Sequence, residues 1–281
     1  MSTNEPSASP PFPDGHFYSP IVNIEDVRNR RGQIWSAELS SAGIDYRPKA
    51  QLEFIQNDLT RHVTSYDYPQ DGHDTDGFFE INPAFAGLDS RVLFTMLRKH
   101  RPHRMIEVGS GYSSLLTADV NVRFLRGQMH FTCVEPNPLG FLQCRPGITR
   151  LIPDIVQDVD VQIFRTLEEN DIVFIDSSHV SKTGSDVNYM MFQVLPTLKK
   201  GVLIHFHDIF LPREYPMEWV LERRFSWNEQ YLLRALLMHS NAFEVEFGCA
   251  YAVYAFPQAL TTALGGALLG GGSFWIRKMR D

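Results

Sequence analysis

A glycine-rich turn placed directly after an apolar segment is the feature that most limits how this chain of 281 residues can fold. The apolar run at 105–108 leads into the turn at 109–111, and residues 115–120 then have a helical pattern. This order predicts a strand, a tight loop and a helix whose first N–H groups point at whatever lies above the strand. The next apolar run, 131–134, ends at an acidic residue, Glu135. A glycine loop after one strand and a carboxylate after the next predict a site for a nucleoside-containing cofactor.

Apolar runs alternate with helical patterns along the rest of the chain. We predict strands at 105–108, 130–134, 149–152, 172–175, 202–207, 243–247 and 274–277, and helices notably at 113–120, 186–198 and 229–238. Strands that are almost continuously apolar and are separated by helices are typical of a parallel sheet covered on both faces. The predicted fold class is therefore α/β, with a Rossmann-like, doubly wound sheet of seven mostly parallel strands. The final strands could pair differently, including antiparallel.

The N-terminal part of the chain is predicted to be organised differently. Residues 21–103 are expected to form a mostly helical extension that lids the cofactor, since apolar residues recur with helical spacing at 51–62 and 88–99. Residues 64–77, between these two stretches, have no period and are expected to form a loop. Residues 104–281 would then make up the cofactor-binding domain.

Composition limits the location and the partners that we expect. Residues 7–13 are rich in Ser and Pro, so the tail 1–20 is predicted to be disordered, and it lacks the pattern of a signal peptide. Three scattered cysteines give no disulfide framework, which favours a reducing cytoplasm. The apolar stretch 259–272 is interrupted by glycines and is too short to span a bilayer. With a net charge of −7, neither nucleic acid nor membrane is expected as a partner, and homo-oligomerisation stays open.

Two classes of cofactor use a glycine loop of this kind, namely dinucleotides and S-adenosylmethionine. The dinucleotide pattern G-x-G-x-x-G lacks its third glycine here, where Ser114 stands. Glu107 would repel a pyrophosphate, but it would attract a cationic amino acid group. Together with Glu135 after the next strand, the pattern favours S-adenosylmethionine. An NAD(P)-dependent oxidoreductase remains the alternative.

The chain resembles the class I S-adenosylmethionine-dependent methyltransferases, in the branch of small-molecule O-methyltransferase-like proteins, over roughly residues 78–278. The motif E-x-G-x-G, followed by the acid after the second strand, carries the resemblance. The resemblance implies that the motif holds the methionine end of the cofactor, that Glu135 binds the ribose hydroxyls, and that a polar loop after the third strand surrounds the adenine. Ser113 stands where the family often has a third glycine. The residues expected to contact the cofactor are Glu107, Gly109, Ser110, Gly111, Ser113, Glu135, Gln157, Asp158 and Asp176.

Polar residues follow the fourth and fifth predicted strands. Asp176 and His179 come after the fourth strand, and His207 and Asp208 stand at the end of the fifth. Because the carboxyl ends of neighbouring central strands border one crevice, these side chains should converge beside the cofactor. An acceptor hydroxyl could then be deprotonated by a histidine base, or with the help of a divalent cation that lowers its pKa.

The metal-dependent catechol-type O-methyltransferases are similar in this region. That resemblance implies that Asp176, His207 and Asp208 bind a cation such as Mg²⁺ and that His179 is the base. The chain departs from that family by a histidine in place of the lysine base, and by His-Asp in place of an Asp-Asn pair. His179 and His207 are therefore the candidate catalytic residues, whereas His205 is interpreted as a core histidine.

Other residues have two interpretations. Trp219 and Trp227 either form a wall for the acceptor or anchor helices. The turn at 211–216 is expected to carry Arg213 and Tyr215 towards a substrate, whereas Glu229 opens a helix and is interpreted as structural. The predicted function is S-adenosylmethionine-dependent methyl transfer to a small molecule, with a hydroxyl of a sugar or secondary metabolite as the expected acceptor. A non-catalytic S-adenosylmethionine-binding protein is a second alternative.

Overall fold

The computed structural model describes residues 12–36, 42–73 and 75–281. Its strands are β1 (Arg104–Val108), β2 (His130–Val134), β3 (Arg150–Ile152), β4 (Ile172–Ile175), β5 (Leu203–Phe206), β6 (Phe243–Gly248) and β7 (Phe274–Lys278). They form a seven-stranded sheet in the order β3-β2-β1-β4-β5-β7-β6. The pairs among β1 to β5 are parallel, whereas β7 runs antiparallel to both β5 and β6. The predicted strands and the α/β fold class are confirmed, and the antiparallel alternative applies to β7.

The sheet reverses its direction of growth at β1. This strand pairs with β2 on one side and with β4 on the other, so the chain builds outward to β3 and then returns to begin β4. Ligand crevices form at such a switch point, outside the carboxyl ends of the strands. Val108 pairs with Ile175, and the loops that follow β1 and β4 therefore leave the sheet side by side.

Helices connect the strands and cover both faces of the sheet. The α-helices are α1 (Ile24–Asn29), α2 (Arg31–Ile34), α3 (Pro48–Glu53), α4 (Thr60–Val63), α5 (Gly87–His100), α6 (Tyr112–Leu125), α7 (Gln162–Arg165), α8 (Asp186–Tyr189), α9 (Met217–Leu221), α10 (Glu229–His239), α11 (Cys249–Ala255) and α12 (Pro257–Ala263). A π-helical segment, Phe54–Leu59, joins α3 to α4, and another, Met190–Val194, continues α8. Short 3₁₀ turns occupy Gly140–Leu142, Val156–Asp158 and Leu195–Thr197. The three helical stretches predicted after residue 104 are confirmed.

Side chains of β4 alternate between two hydrophobic cores. Phe174 belongs to the core that includes residues of α5 and α6, whereas Ile175 belongs to the core that includes residues of α8 and α10. All four residues of β4 are buried. Burial on both faces explains why this strand is continuously apolar in the sequence.

The N-terminal extension packs beside the sheet. The helical stretch predicted at 51–62 runs through α3, the π-helical segment and α4, and the one predicted at 88–99 is α5, so both are confirmed. Gln51 of α3 is buried, and its Oε1 accepts a hydrogen bond from Gly248 N–H at the end of β6 at 3.0 Å. The described residues of the loop predicted at 64–77 form a turn at 64–65 and contain neither helix nor strand. The lid role of the extension stays a prediction.

Two expectations concern the chain termini and the membrane. Residues 1–11 of the predicted tail lie outside the described residues, so its disorder stays a prediction. The glycine-interrupted stretch at 259–272 holds the end of α12 and then an irregular segment that leads to β7. Across the described ranges, no helix is both long and apolar enough to cross a membrane.

Candidate active site

The turn between β1 and α6 lies directly against the loop that follows β4. Gly109 has a φ of +82°, and a Cβ at this position would lie 1.5 Å from the carbonyl oxygen of Asp176. Asp176 N–H donates to the carbonyl of Val108 at 2.9 Å, and Gly109 N–H donates to the carbonyl of Val134 at 3.0 Å. Glycine is required at this position both for its left-handed conformation and for the space that it leaves.

Glu107 lies beneath this turn and is fully buried. Its carboxylate oxygens accept hydrogen bonds from the hydroxyls of Ser113 and Ser114 in the first turn of α6. Ser114 Oγ in turn accepts a hydrogen bond from Gly111 N–H at 3.0 Å. Burial raises the pKa of Glu107 to about 8, although the two serine hydroxyls oppose the shift. This side chain therefore organises the start of α6 and is mostly protonated at pH 7.

A cleft of about 380 Å³ lies at the carboxyl ends of β1, β2 and β4. Its volume is in the range of small-molecule and cofactor sites. Of the predicted cofactor residues, those that line the cleft are Gly109, Glu135, Gln157 and Asp176. Those outside its lining are Glu107, Ser110, Gly111, Ser113 and Asp158. The lining residues that were not predicted are Val108, Val134, Pro136, Ile155, Val156, Ser177, Ser178, Lys182, Gly184, Ser185 and Asp186.

Several polar atoms of this cleft are suited to a nucleoside. The Glu135 carboxylate accepts hydrogen bonds from Asn137 N–H at 2.8 Å and from Ser110 N–H at 3.3 Å, which hold it beside the glycine turn. The buried atoms Ser177 Oγ and Gln157 Oε1 have no hydrogen-bond partner within the described part of the chain. Buried polar atoms are nearly always paired, so these two atoms suit a polar ligand. The donors and acceptors present fit the hydroxyls and the base of an adenosine group.

Two aspartates and two histidines meet beside this cleft, at the carboxyl ends of β4 and β5. His179 Nε2 lies 3.4 Å from Asp176 Oδ1 and 3.6 Å from Asp208 Oδ2. His207 Nδ1 lies 3.4 Å and 3.7 Å from the same two oxygens. Ligating atoms of Asp176, His179 and Asp208 all lie within 4.8 Å of one another, as metal ligands do. The predicted convergence of these side chains is confirmed, and we call the four of them the Asp-His cluster.

A buried carboxylate contacts the outer nitrogen of each histidine in the Asp-His cluster. His179 Nδ1 lies 3.0 Å from Glu229 Oε2, in the first turn of α10. His207 Nε2 lies 3.4 Å from Asp89 Oδ2, in the first turn of α5. The Asp89 carboxylate also accepts hydrogen bonds of 2.9 Å and 2.7 Å from the backbone N–H groups of Gly272 and Ser273, just before β7. Sequence reasoning missed Asp89 and interpreted Glu229 as structural, because no local pattern marks either contact.

Interactions within the Asp-His cluster raise the pKa of both histidines and lower the pKa of Asp176. Burial would lower the pKa of His179, but hydrogen bonds to Asp176 and Glu229 raise it to about 10. Burial also opposes protonation of His207, yet the charges of Asp176 and Asp208 raise its pKa well above the usual range. Burial is likewise outweighed at Asp176, whose pKa the two histidines hold well below its usual range. Each histidine therefore has to release a proton before it can accept one or bind a metal ion.

Two residues of the Asp-His cluster have a left-handed backbone. The φ angles are +57° at His179 and +55° at Asp208. Such angles are uncommon in residues other than glycine, and they concentrate at functional sites. The carbonyl oxygen of His179 accepts hydrogen bonds from the backbone N–H groups of Asn228 and Glu229 at 3.0 Å and 3.2 Å. The start of α10 therefore holds both the backbone and the ring of His179.

Comparison with known proteins identifies the family. Residues 106–209 match the family model described as a methyltransferase domain. An uncharacterised protein from Archaeoglobus fulgidus is 38% identical over 184 residues, which cover 61% of this chain and 82% of that protein. The chain is a class I S-adenosylmethionine-dependent methyltransferase. Its strand order, with an antiparallel β7 between β5 and β6, agrees with this membership.

Solved structures similar to this methyltransferase include two O-methyltransferases. TomG from Streptomyces achromogenes, involved in tomaymycin synthesis and solved with S-adenosylmethionine, is 12% identical, with 92% of this chain and 97% of that chain covered and a TM-score of 0.39. The O-methyltransferase from Bacillus cereus, solved with S-adenosylhomocysteine, is 13% identical, with 91% and 100% covered and a TM-score of 0.39. The assignment as a methyltransferase depends on the domain match over residues 106–209, not on these structures.

The methyltransferase uses His205 in its core, as predicted. The ring of this residue stacks on Phe174 with centroids 3.7 Å apart, and its Nε2 lies 2.9 Å from Ser273 Oγ. Burial lowers the pKa of His205 well below its usual range, so the ring is neutral. The interpretation of His205 as a core histidine is confirmed.

Aromatic residues lie next to the Asp-His cluster. The Trp227 ring centroid is 4.3 Å from that of His179, and the Phe225 ring stacks on Trp227 with centroids 4.5 Å apart. Tyr215, by contrast, is buried, and its hydroxyl accepts a hydrogen bond from Gln230 N–H at 3.1 Å. The expectation that Tyr215 reaches towards a substrate is therefore wrong, because its hydroxyl helps to anchor the first turn of α10.

Proposed function

We propose that this methyltransferase transfers the methyl group of S-adenosylmethionine to a hydroxyl oxygen of a small molecule, such as a sugar or a secondary metabolite. The position of Asp176 carries the proposal. Asp176 lines the cofactor cleft, and its carboxylate lies 3.4 Å from both His179 and His207. Transfer to oxygen needs a deprotonated hydroxyl held near the methyl carbon. The Asp-His cluster meets this need because one of its members, Asp176, also lines the cofactor cleft.

The cofactor residues are proposed to act from two sides. Glu107 and Ser113 order the turn 109–111 from below, so that this turn approaches the methionine end of the cofactor. Glu135 is proposed to bind the ribose hydroxyls, since it lines the cleft and its carboxylate lies beside the glycine turn. The polar pair 157–158 is proposed to lie beside the adenine, with Gln157 in the lining of the cleft and Asp158 exposed and outside that lining.

The acceptor hydroxyl is proposed to lose its proton at the Asp-His cluster. His179 Nε2 and His207 Nδ1 both face the two shared carboxylates, and either can take the proton once it has lost its own. A divalent cation such as Mg²⁺, held by Asp176, His207 and Asp208, would instead lower the pKa of the hydroxyl. In both cases these side chains keep the oxygen next to the cofactor cleft.

A second cavity, of about 460 Å³, is proposed to admit the acceptor. Trp35 of the N-terminal extension and Phe210 of the loop after β5 both line it. From Phe210, ring contacts with centroids 5.3 Å apart lead to Trp219 and then to Trp227, which contacts His179. Aromatic faces suit the apolar faces of sugars and of phenolic rings. We propose that the segment of the N-terminal extension that carries Trp35 acts as the lid.

Ligand-dependent melting of the purified protein tests the cofactor. S-adenosylmethionine or S-adenosylhomocysteine, at a concentration of about 100 times its Kd, should stabilise the protein by about 2.7 kcal/mol. NADH should leave the melting temperature unchanged. Stabilisation by NADH alone would favour the oxidoreductase alternative and contradict the proposal.

Transfer of a labelled methyl group tests the reaction. We expect hydroxyl compounds in a panel of sugars, phenols and amines to be labelled, and His179→Ala to lower kcat by about 10²–10⁴-fold. The matched control is His130→Ala, because His130 is exposed at the amino end of β2, away from the cleft. Labelling of amines alone would exclude the oxygen acceptor. Cofactor binding with no labelled acceptor would favour the non-catalytic alternative.

A further inference from the structure

The Asp-His cluster places two nitrogen and two oxygen atoms in an alternating ring. Each histidine nitrogen lies next to both carboxylate oxygens, at 3.4 Å and 3.6 Å for His179 and at 3.4 Å and 3.7 Å for His207. Ligands that bind one metal ion at about 2.0–2.2 Å are about 3.0–3.6 Å apart when they are adjacent. Atoms of Asp176, His179 and Asp208 already lie within 4.8 Å of one another, and His207 Nδ1, which contacts both aspartates, would have to move inward to complete the set.

The carboxylates behind the histidines are the partners that metal-binding histidines use. Glu229 accepts from the Nδ1 of His179, which leaves Nε2 directed at Asp176 and Asp208. Asp89 faces the Nε2 of His207, which leaves Nδ1 directed at the same two aspartates. A carboxylate on the outer nitrogen selects the tautomer and fixes the orientation of a ligating imidazole. A single histidine base would need only one histidine–carboxylate pair. This site has two such pairs, and both histidines face the same two aspartates.

The kind of donor atoms limits the metal. Mg²⁺ prefers oxygen ligands and retains several waters, so it commonly takes only one or two carboxylates from a protein. Imidazole nitrogen suits Zn²⁺, Fe²⁺, Co²⁺ and Ni²⁺. A set of two imidazoles and two carboxylates therefore favours a transition metal over Mg²⁺.

We infer that Asp176, His179, His207 and Asp208 together bind one divalent transition-metal ion, with Asp89 and Glu229 as the residues that orient the two histidines. This inference rests on the proposed function and adds to it the class of metal and the role of His179 as a ligand. Asp89 and Glu229 are positioning residues, since they act through the histidines.

Co²⁺ binding to the chelator-treated, tag-free full chain tests the inference, with the visible absorption of the bound ion as the readout. One Co²⁺ should bind per chain, and a roughly 1,000-fold excess of Mg²⁺ should not displace it. Asp89→Asn and Glu229→Gln should each raise the Kd for Co²⁺ by about 10–100-fold. His179→Ala and His207→Ala should raise it further. Controls are His130→Ala and the exposed carboxylate variant Glu168→Gln, which should bind Co²⁺ like the wild type.

Several results would overturn the inference. Co²⁺ binding by His179→Ala at the wild-type Kd would reduce the site to three ligands, and displacement of Co²⁺ by equal Mg²⁺ would exclude the transition metal. Unchanged affinity in both Asp89→Asn and Glu229→Gln would remove their positioning role. The melting shift with S-adenosylmethionine, measured on every variant, shows that it is folded and separates the two proposals. Cofactor binding without Co²⁺ binding contradicts this inference alone, and Co²⁺ binding without cofactor binding contradicts the proposed function alone.

Discussion

Replacing Gly109 by alanine tests the close approach of the loops that follow β1 and β4. The new Cβ would lie 1.5 Å from the Asp176 carbonyl oxygen, whereas Cβ atoms essentially never come within 3.0 Å of such an atom. The two loops would therefore have to separate by about 1.5 Å. That movement is enough to break the 2.9 Å hydrogen bond from Asp176 to Val108 and the 3.0 Å hydrogen bond from Gly109 to Val134.

The expected loss of stability has two sources. Alanine in the left-handed region costs about 1–2 kcal/mol. Each broken backbone hydrogen bond that leaves a buried group unpaired costs about 1–3 kcal/mol. Gly109→Ala should therefore lower the free energy of unfolding by about 3–8 kcal/mol. Gly127→Ala is the matched control, because Gly127 has a φ of +68° but no atom within 4 Å of the added Cβ, so only the first cost applies.

Urea unfolding followed by circular dichroism measures both variants. Gly109→Ala should be at least about 2 kcal/mol less stable than Gly127→Ala in the extrapolated free energy of unfolding. Failure of Gly109→Ala to fold, under conditions in which Gly127→Ala folds, would agree with the prediction. Equal urea midpoints for the two variants would refute the reasoning, since they would show that the loops separate without cost.

Three further predictions concern single side chains. The pKa of Glu107 is about 8 in the folded protein and near 4.5 when unfolded, so its contribution to stability is present below about pH 4.5 and is lost as the pH rises to about 8. In urea unfolding, the free energy of unfolding of Glu107→Gln should therefore decline less over this pH range than that of the wild type. Identical pH profiles for the two proteins would contradict the assigned burial. His205→Phe should cost about 1–2 kcal/mol in urea unfolding, through loss of its hydrogen bond, yet leave S-adenosylmethionine affinity unchanged. Glu135→Ala should weaken S-adenosylmethionine binding by about 10–100-fold in calorimetry, and wild-type affinity would remove its proposed role.

The fold was predictable because its signals are local. A run such as Ile172–Ile175 is apolar at every position since both of its faces are buried, and this pattern needs no knowledge of distant residues. The glycine turn at 109–111 was recognisable for the same reason. Placing Asp176 and His207 at one edge of the sheet followed from the rule that parallel strands present their carboxyl ends together.

The contacts of the site were less predictable because they join distant segments. Glu229 is an acid in the first turn of a helix, where acids are common for reasons of local electrostatics. Its contact with His179 exists because α10 packs with its amino end against the loop after β4. Asp89 contacts His207 because α5, from the N-terminal extension, lies next to the start of β7.

The sequence by itself determined the order of strands and helices, the class of cofactor, and the strand ends at which the polar residues stand. Only the tertiary structure decided that Glu107 is buried beneath the glycine turn, and that both histidines have a carboxylate behind them. The reason is physical. Spacing along the chain sets which residues share a strand end, whereas the packing of helices far apart in sequence sets which side chains face one another.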